Sequence, residues 1–149
     1  MMRNLTVNKD NKLVKSAGDI NAFEEAYSIK LPSELSEFLL IYEGLYLDED
    51  ESYYGEGSNL FEVNKILFLR KKDGLASIEA ILEGHQEANI LGFIPYAIDS
   101  GGGDFNVSIN NDTYGQVWVN KFDSGEKETM EFVAPSFESF INGLQPEDE

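Results

Sequence analysis

Cysteine is absent from the 149-residue chain, and histidine occurs only once. Without cysteine the protein has no disulfide framework, no thiolate zinc site and no cysteine nucleophile. A serine triad needs a histidine base, and no nucleophile elbow or partner motif lies near His85, which we predict to follow Gly84 in a loop. The composition suits a reducing compartment, and we expect a cytoplasmic protein.

Long apolar runs are also missing. The longest are Phe38 to Tyr42 and Ile66 to Leu69, far short of the length that crosses a bilayer. Residues 1–10 lack the basic segment, the apolar stretch and the small-residue cleavage site of a signal peptide. We therefore expect neither membrane insertion nor export.

Basic residues are scarce: 11 lysines and arginines stand against 28 acidic residues, which gives a formal charge of −17. Such a field repels the phosphodiester backbone, whose binding depends on basic side chains that displace counterions, so we expect no nucleic-acid partner. The same field would speed the encounter with a basic protein, and it would equally serve solubility alone. Charge by itself leaves these two interpretations open.

Apolar side chains are plentiful. Hydrophobic residues make up 42% of the chain and aromatic residues 12%. That content is typical of a globular protein, and a chain of this length is enough to bury one core. We predict a single domain over residues 1–149, with its core in about residues 19–144 and a flexible acidic tail at residues 145–149.

Apolar side chains recur at helical spacing near both ends of the chain. Asp19 suits the N-cap of the first helix, Pro32 the first turn of the second, and Ser136 the N-cap of the last. Gly44 and Gly84 follow helical segments as C-terminal caps. The predicted helices are Asp19 to Tyr27, Pro32 to Glu43, a segment with Leu75, Ile78, Ile81 and Leu82 on one face, and Ser136 to Gly143.

Segments between the helices have the patterns of strands. Pro95 indicates an edge position or a bulge, and the hairpin after the turn at Gly101 to Gly103 has one polar face. Consecutive strands with helices at both ends predict an α+β domain, with helices against one side of a largely antiparallel sheet. The predicted strands are Ile66 to Leu69, Leu91 to Ile98, Asp104 to Ile109, Gln116 to Phe122 and Met130 to Ala134.

An acidic segment with two tyrosines, from Asp48 to Ser58, is predicted to be a surface loop. Tyr53 and Tyr54 would supply contact area at low entropic cost in a protein-binding patch. The alternative is a solvated loop whose tyrosines fold back on the core. In the binding interpretation the tyrosines anchor a partner and four acids steer it towards the loop: Asp48, Glu49, Asp50 and Glu51.

The segment from Asp99 to Asp104 combines two carboxylates with a glycine turn. Carboxylates there could hold a divalent cation, and glycine amides could bind an anion. The segment lacks the ligand spacing of a calcium loop and the residues of a phosphate loop, which favours a tight turn in which Asp99 accepts hydrogen bonds from its own backbone. We expect no metal and no cofactor. With 28 acidic residues, some pair of carboxylates must lie close, so acidity gives no sign of hydrolytic chemistry.

Trp118 falls on the polar-leaning face of its strand, with Gln116 and Asn120. It is either a binding anchor on the surface or a side chain covered by a helix. Trp118, Asp99 and Asp104 complete the predicted set of partner-binding residues.

Several short pieces of sequence resemble, in their order and spacing, the SUKH superfamily, which includes the yeast cell-wall regulators of the Smi and Knr type. The likeness extends over roughly Asp19 to Leu144, and the stretch from Asp48 to Ile90 departs from it. The matching residues are Glu24, Leu31-Pro32, Leu35, Phe38-Leu39, Tyr42 and Gly44, then Phe93 to Ala97 with Asp99 and Gly101 to Gly103, then Gly115 to Trp118, and finally Val133-Ala134, Ser136-Phe137 and Phe140-Ile141.

This resemblance implies an α+β fold and, among bacterial members, frequent service as an immunity protein that binds and blocks a toxin, often a nuclease. Fungal members act as scaffolding regulators instead, and function has to be argued from the site rather than from the fold. We therefore expect a non-enzymatic protein that neutralises a cognate protein toxin with a basic nuclease domain. The alternative is an intracellular regulator or scaffold.

Overall fold

The computed structural model describes residues 2–6, 17–56, 59–70, 77–121 and 130–147. These residues form four α-helices and seven β-strands. The helices are α1 (Ala17–Tyr27), α2 (Ser33–Tyr42), α3 (Ile78–Glu87) and α4 (Phe137–Asn142). The strands are β1 (Tyr53–Glu56), β2 (Asn59–Glu62), β3 (Lys65–Ile66), β4 (Phe93–Ile98), β5 (Asp104–Ser108), β6 (Val117–Asn120) and β7 (Met130–Ala134).

The strands make two antiparallel sheets. Strands β3 to β7 form a five-stranded sheet in sequence order, and β1 and β2 form a separate hairpin. The α+β prediction is confirmed. Of the two alternatives for Pro95, the bulge is correct, because the register of β4 against β5 shifts between Pro95 and Ala97 while β3 pairs on the other side of β4.

One face of the five-stranded sheet is apolar and packs against α2 and α4. Phe105 on β5 lies 5.5 Å from Phe140, and Tyr96 on β4 lies 5.0 Å from Phe137, as measured between ring centroids. Phe137 also makes an edge contact with Phe38 of α2. Alternation along the strands places these side chains on one face, where apolar burial is the main stabilising contribution.

The opposite face of the sheet is polar and is nonetheless buried. Asp104, Asn106, Ser108 and Asn120 lie on it, and each is 0% exposed. The sequence indicated this polar face but not its burial. The prediction that His85 lies in a loop is wrong, because α3 continues through Gly84 to Glu87 and carries His85 onto this face.

The observed ends of several elements differ from the predicted ends. Helix α1 begins at Ala17, so Asp19 lies in its first turn rather than at its N-cap. Pro32 precedes α2 in the N-cap position. Ser136 caps α4 as predicted, since its Oγ accepts a hydrogen bond from Ser139 N at 3.0 Å. Of the predicted strand at 66–69 only Ile66 belongs to β3, although all four residues are buried.

The predicted surface loop at 48–58 is largely ordered structure, namely a 3-10 helix at Glu49–Glu51 followed by β1. The predicted flexible tail also begins too early, because the backbone of Gln145 pairs with that of Tyr53. Residues 57, 58, 75, 122, 148 and 149 of the predicted segments lie outside the described residues. Within the described residues, each helix is too short or too polar to cross a membrane.

Candidate protein-interaction site

The β1–β2 hairpin has two different faces. Tyr54 lies opposite Phe61 in its register, and Tyr53 lies opposite Glu62. Because neighbouring residues of a strand point to opposite faces, Tyr54 and Phe61 share one face and Tyr53 and Glu62 share the other. The two predicted anchors, Tyr53 and Tyr54, therefore point in opposite directions.

The face with Tyr54 and Phe61 forms one wall of a groove of about 620 Å³. Strand β7 at the edge of the five-stranded sheet and the end of α4 form its other sides. We call this the edge groove. Its lining residues are Tyr54, Gly55, Glu56, Phe61, Glu131, Phe132, Val133, Gly143 and Gln145.

Tyr54 is held in the groove by the last helix. Its ring centroid lies 5.0 Å from that of Phe140, and a β-carbon at Gly143 would come within 2.7 Å of its Cε1 atom. Partial burial raises the pKa of its hydroxyl above the usual value. Glycine at position 143 is thus what allows the ring to close over the end of α4, and Tyr54 is both a wall of the groove and a contact with the core.

Tyr53 occupies an acidic setting on the other side of the hairpin. Partial burial and the charges of Glu147 and Glu62 raise the pKa of its hydroxyl. Its backbone N–H donates to Gln145 O at 3.0 Å, and its carbonyl accepts from Gln145 N at 2.8 Å. The Gln145 side chain donates in addition to Gly55 O. The hairpin is therefore fastened to the segment that follows α4.

The four predicted steering acids divide into two kinds. Glu49 and Asp50 are exposed, and half-buried Asp48 accepts a hydrogen bond from Asp50 N at 3.0 Å that caps the 3-10 helix. Glu51 is only 5% exposed, and it accepts hydrogen bonds from Arg3 Nη2 at 2.9 Å and Thr6 N at 2.7 Å. Glu51 is committed to holding residues 2–6, so the structure contradicts a steering role for it.

Asp99 adopts the predicted tight turn, in which its Oδ1 accepts hydrogen bonds from Gly101 N at 2.9 Å and Gly103 N at 2.8 Å. The turn approaches the hairpin, because Ser100 donates from both its backbone N–H and its hydroxyl to Glu62. Asp99 thus lies next to the Tyr53 side of the hairpin rather than in the edge groove.

Trp118 is half-buried between two aromatic rings. The centroid of Phe93 lies 6.0 Å from it and that of Phe132 lies 5.7 Å from it, both in edge orientations. The Trp118 Nε1–H donates to Gln116 at 3.1 Å. Phe132 is also among the residues that line the edge groove, while its ring packs with Trp118 on the face of the sheet opposite to Phe105 and Phe140.

Asp104 lies inside the protein, where it accepts hydrogen bonds from several partners. Its Oδ2 lies 2.9 Å from His85 Nε2 and 2.8 Å from Asn106 Nδ2, and its Oδ1 lies 3.4 Å from Asn120 Nδ2. Because both His85 and Asp104 are at most 1% exposed, this carboxylate cannot meet a partner on the surface. The predicted partner contact at Asp104 is wrong for that reason.

Of the residues that line the edge groove, only Tyr54 was predicted as a site residue, and the side chains that sequence reasoning missed include Phe61, Glu131 and Phe132. Phe132 is 45% exposed, which is unusual for a phenylalanine in a strand. Its strand was predicted from its apolar content, but strand order alone decides that β7 lies at the sheet edge. Lys121 Nζ pairs with Glu131 at 3.1 Å and lies over the ring of Phe61.

The edge groove combines aromatic side chains with carboxylates and backbone polar groups. Groups of these kinds can bind a partner. Across the described ranges, three or more histidine, cysteine, aspartate or glutamate residues do not gather anywhere in a way that could hold a metal ion. The described geometry is an aromatic groove with an acidic rim, of a kind that recurs where proteins contact proteins.

The fold places the chain among the α+β proteins in which helices cover an antiparallel sheet. The model of the SMI1/KNR4 family (SUKH-1) matches residues 16–143. The chain belongs to this family, and the resemblance seen in the sequence is confirmed. Proteins of this family are generally non-enzymatic immunity or regulatory proteins. A comparison with curated proteins gave no match.

Proposed function

We propose that this protein is a non-enzymatic immunity protein that binds and neutralises a cognate protein toxin in the cytoplasm. The observation that carries the proposal is the edge groove, whose lining includes Tyr54, Phe61 and Phe132 together with the carboxylates of Glu56 and Glu131. Aromatic side chains provide the large contact area of binding hot spots, and peripheral charges control encounter. Family membership supports the same reading.

Neutralisation requires that the protein cover a surface that the toxin needs. A nuclease must carry basic side chains that contact phosphate groups, and a protein of formal charge −17 is complementary to such a surface. We therefore propose a basic nuclease domain as the toxin. Exposed Glu49 and Asp50 would accelerate association, and the groove aromatics would slow dissociation.

The test begins with capture of partners from the native cell lysate by the full chain, followed by co-expression of the captured protein. We expect a single stoichiometric basic protein, growth arrest when it is expressed alone, and restored growth when this chain is co-expressed. Purified partner should cleave nucleic acid, and addition of this protein should stop the cleavage. Growth that stays arrested, or a captured protein that is harmless, would exclude the immunity role.

A matched pair of variants connects neutralisation to the groove. Phe132→Ala removes the exposed ring of a β7 residue that lines the edge groove, whereas Leu91→Ala removes an exposed side chain that does not line the groove. We expect Phe132→Ala to accelerate dissociation from the toxin by about tenfold or more and Leu91→Ala to leave it unchanged. Equal effects of the two variants would remove the groove from the proposal.

A second candidate function, that of a regulator or scaffold, is favoured by a second groove of about 410 Å³ between α1 and α2. Its apolar lining includes Ile20, Leu40 and the exposed Tyr114, and it shares no residue with the edge groove. A scaffold must hold two partners at once. Capture of several signalling or envelope proteins, weakened by Tyr114→Ala, would select this function over immunity.

A further inference from the structure

Strand β7 presents a sheet edge. Within the described residues it pairs only with β6, through a register that runs from Asn120 opposite Met130 to Val117 opposite Ala134. An edge strand has backbone N–H and C=O groups that point away from its one neighbour and can pair with another strand. The five residues of β7 would offer an edge about 17 Å long.

The edge is not uniform along its length. The register of β6 against β7 shifts between Val117 and Trp118, so that Val133 is the extra residue of a bulge. A bulge interrupts pairing locally, and the regular part of the edge therefore runs from Met130 to Phe132. A partner strand would form a short ladder there, and further affinity would have to come from side chains.

The edge groove provides those side-chain contacts directly beside β7. Tyr54 and Phe61 face the groove from the hairpin, while Glu131, Phe132 and Val133 belong to β7 itself. A strand laid along β7 would point alternate side chains towards the aromatic pair. Backbone pairing and side-chain pockets would thus act on the same segment, as in binding by strand addition.

Charge in the groove decides the chemistry of the occupant. Among the described residues, its lining has two carboxylates, Glu56 and Glu131, and no basic side chain. Glu131 pairs with Lys121, but both side chains are about half exposed, so that this pair is weak and can be exchanged for a partner's basic group. A second copy of this chain would bring another formal charge of −17 to the same place and is disfavoured.

We propose that β7 and the edge groove bind an extended segment of a protein partner whose groove-facing side chains, at every second position, include both apolar and basic ones, and that the segment joins the five-stranded sheet next to β7. This inference rests on the proposed function, because it describes how the toxin would be held. The apolar side chains would contact Tyr54 and Phe61, and the basic ones would meet Glu56 and Glu131.

The experiment selects peptides from a random library on the full-length protein and measures their affinity in solution. We expect selected sequences that have basic and apolar residues at every second position, because those positions face the groove. Phe61→Ala and Phe132→Ala should each weaken binding by about tenfold or more, and Leu91→Ala, at an exposed side chain that does not line the groove, should leave it unchanged. Each variant is first checked for native unfolding behaviour.

Backbone pairing is tested by N-methylation of the best peptide at each position in turn. Methylation should abolish binding at alternate positions and be tolerated between them, because only every second N–H of an added strand faces β7. Amide exchange of Met130 to Phe132 should slow in the complex. Selection of helical peptides, binding that ignores methylation, affinity that survives both groove substitutions, or a dimer of the free protein that Phe132→Ala dissociates would each overturn the inference.

Growth protection against the captured toxin is measured separately, which keeps the two proposals distinguishable. Loss of the peptide signature with protection intact would remove the β7 site and leave the immunity role. Intact peptide binding without protection would remove the immunity role and leave β7 as a binding edge for another protein.

Discussion

The edge groove and the buried polar cluster around Asp104 are both built from acidic residues and neighbouring strands, yet they act in opposite ways. In the cluster, Asp104 is satisfied by His85, Asn106 and Asn120 and is 0% exposed. In the groove, Glu131 belongs to the edge strand β7, and its side chain is exposed. The role of an acidic side chain therefore depends on whether another element of the fold covers it. Helix α3 covers the first region, and the second has no such cover among the described residues.

Asp104→Ala should give the largest effect on stability. The substitution leaves His85 Nε2 and the amides of Asn106 and Asn120 without their buried acceptor, and removal of one partner from a buried network costs about 3–5 kcal/mol. Urea unfolding measures the loss. The matched exposed variant Asp50→Ala should change the free energy of unfolding by less than about 0.5 kcal/mol. Similar losses in both variants would contradict the comparison.

Gly143→Ala should have the next largest effect. The added β-carbon would lie 2.7 Å from Tyr54 Cε1 and 3.1 Å from Ser139 O, so the ring must move or the helix end must shift, at a cost of about 1–3 kcal/mol. The control is Gly84→Ala in α3, where the added methyl group has nothing within 4 Å. That variant should gain about 0.5–1 kcal/mol from improved helix propensity. Chemical denaturation measures the free energy of unfolding of both variants. Changes of the same sign in the two would disprove the steric argument.

Glu51→Gln and Glu49→Gln compare two acids of the same 3-10 helix. Glu51 holds Arg3 and the backbone of Thr6, so its amide variant should lose about 1–2 kcal/mol of stability and expose residues 2–6 to proteolysis. Glu49 is exposed, and its variant should keep native stability while it slows association with a basic partner at low salt. If Glu49→Gln lost stability and Glu51→Gln slowed association instead, burial would not explain the difference between the two residues.

Tyr96→Phe should have the smallest effect at neutral pH. The Tyr96 hydroxyl is buried without a hydrogen-bond partner in the described part of the chain, so its removal should raise stability by up to about 1 kcal/mol. Burial first, and then the nearby Tyr54, raise the pKa of this hydroxyl well above 10. A folded-state pKa above that of the unfolded chain means that the contribution is complete below pH ~10 and is lost as the pH rises further.

The measurement is the free energy of unfolding between pH 8 and about pH 11. Wild-type stability should fall steeply above pH ~10, and Tyr96→Phe should reduce that fall. The exposed control is Tyr114→Phe, which should follow the wild type. An unchanged slope in Tyr96→Phe would assign alkaline unfolding to other groups.

The sequence was informative where local chemistry determines structure. The Asp99 turn, the Ser136 cap and the bulge at Pro95 each depend on a few neighbouring residues. The turn and the cap were predicted, and the bulge was one of two predicted alternatives. Gly44 is a further example. Its φ is 76°, and a β-carbon there would collide with the ring of Phe68, so that both observations demand glycine. These positions lie at a turn, at helix ends and at a bulge. Most of them belong to the pieces of sequence that resemble the SUKH superfamily.

The candidate site was less predictable because strand order assembles it. Tyr54 could be recognised as a candidate from its acidic surroundings, but its partner Phe132 lies on a strand whose edge position depends on the whole sheet. The burial of the polar face around Asp104 was equally difficult to predict from the sequence. The alternation around Asp104 indicated a polar face, and only the position of α3 shows that the face is covered. The partner-binding roles of Asp48, Glu49, Asp50, Tyr53, Tyr54, Asp99 and Trp118 stay predictions.

The N-terminal segment and the hairpin both attach to the residues that follow α4, and this has a consequence for folding. Arg3 Nη1 donates to Leu144 O across 141 residues, and β1 pairs with Gln145. Contacts between such distant residues close only after the intervening chain has been ordered, and they form late. During synthesis β1 emerges long before Gln145, so a nascent chain cannot complete the groove. A partner that binds the edge groove would therefore find it complete only on chains that have been synthesised past Gln145.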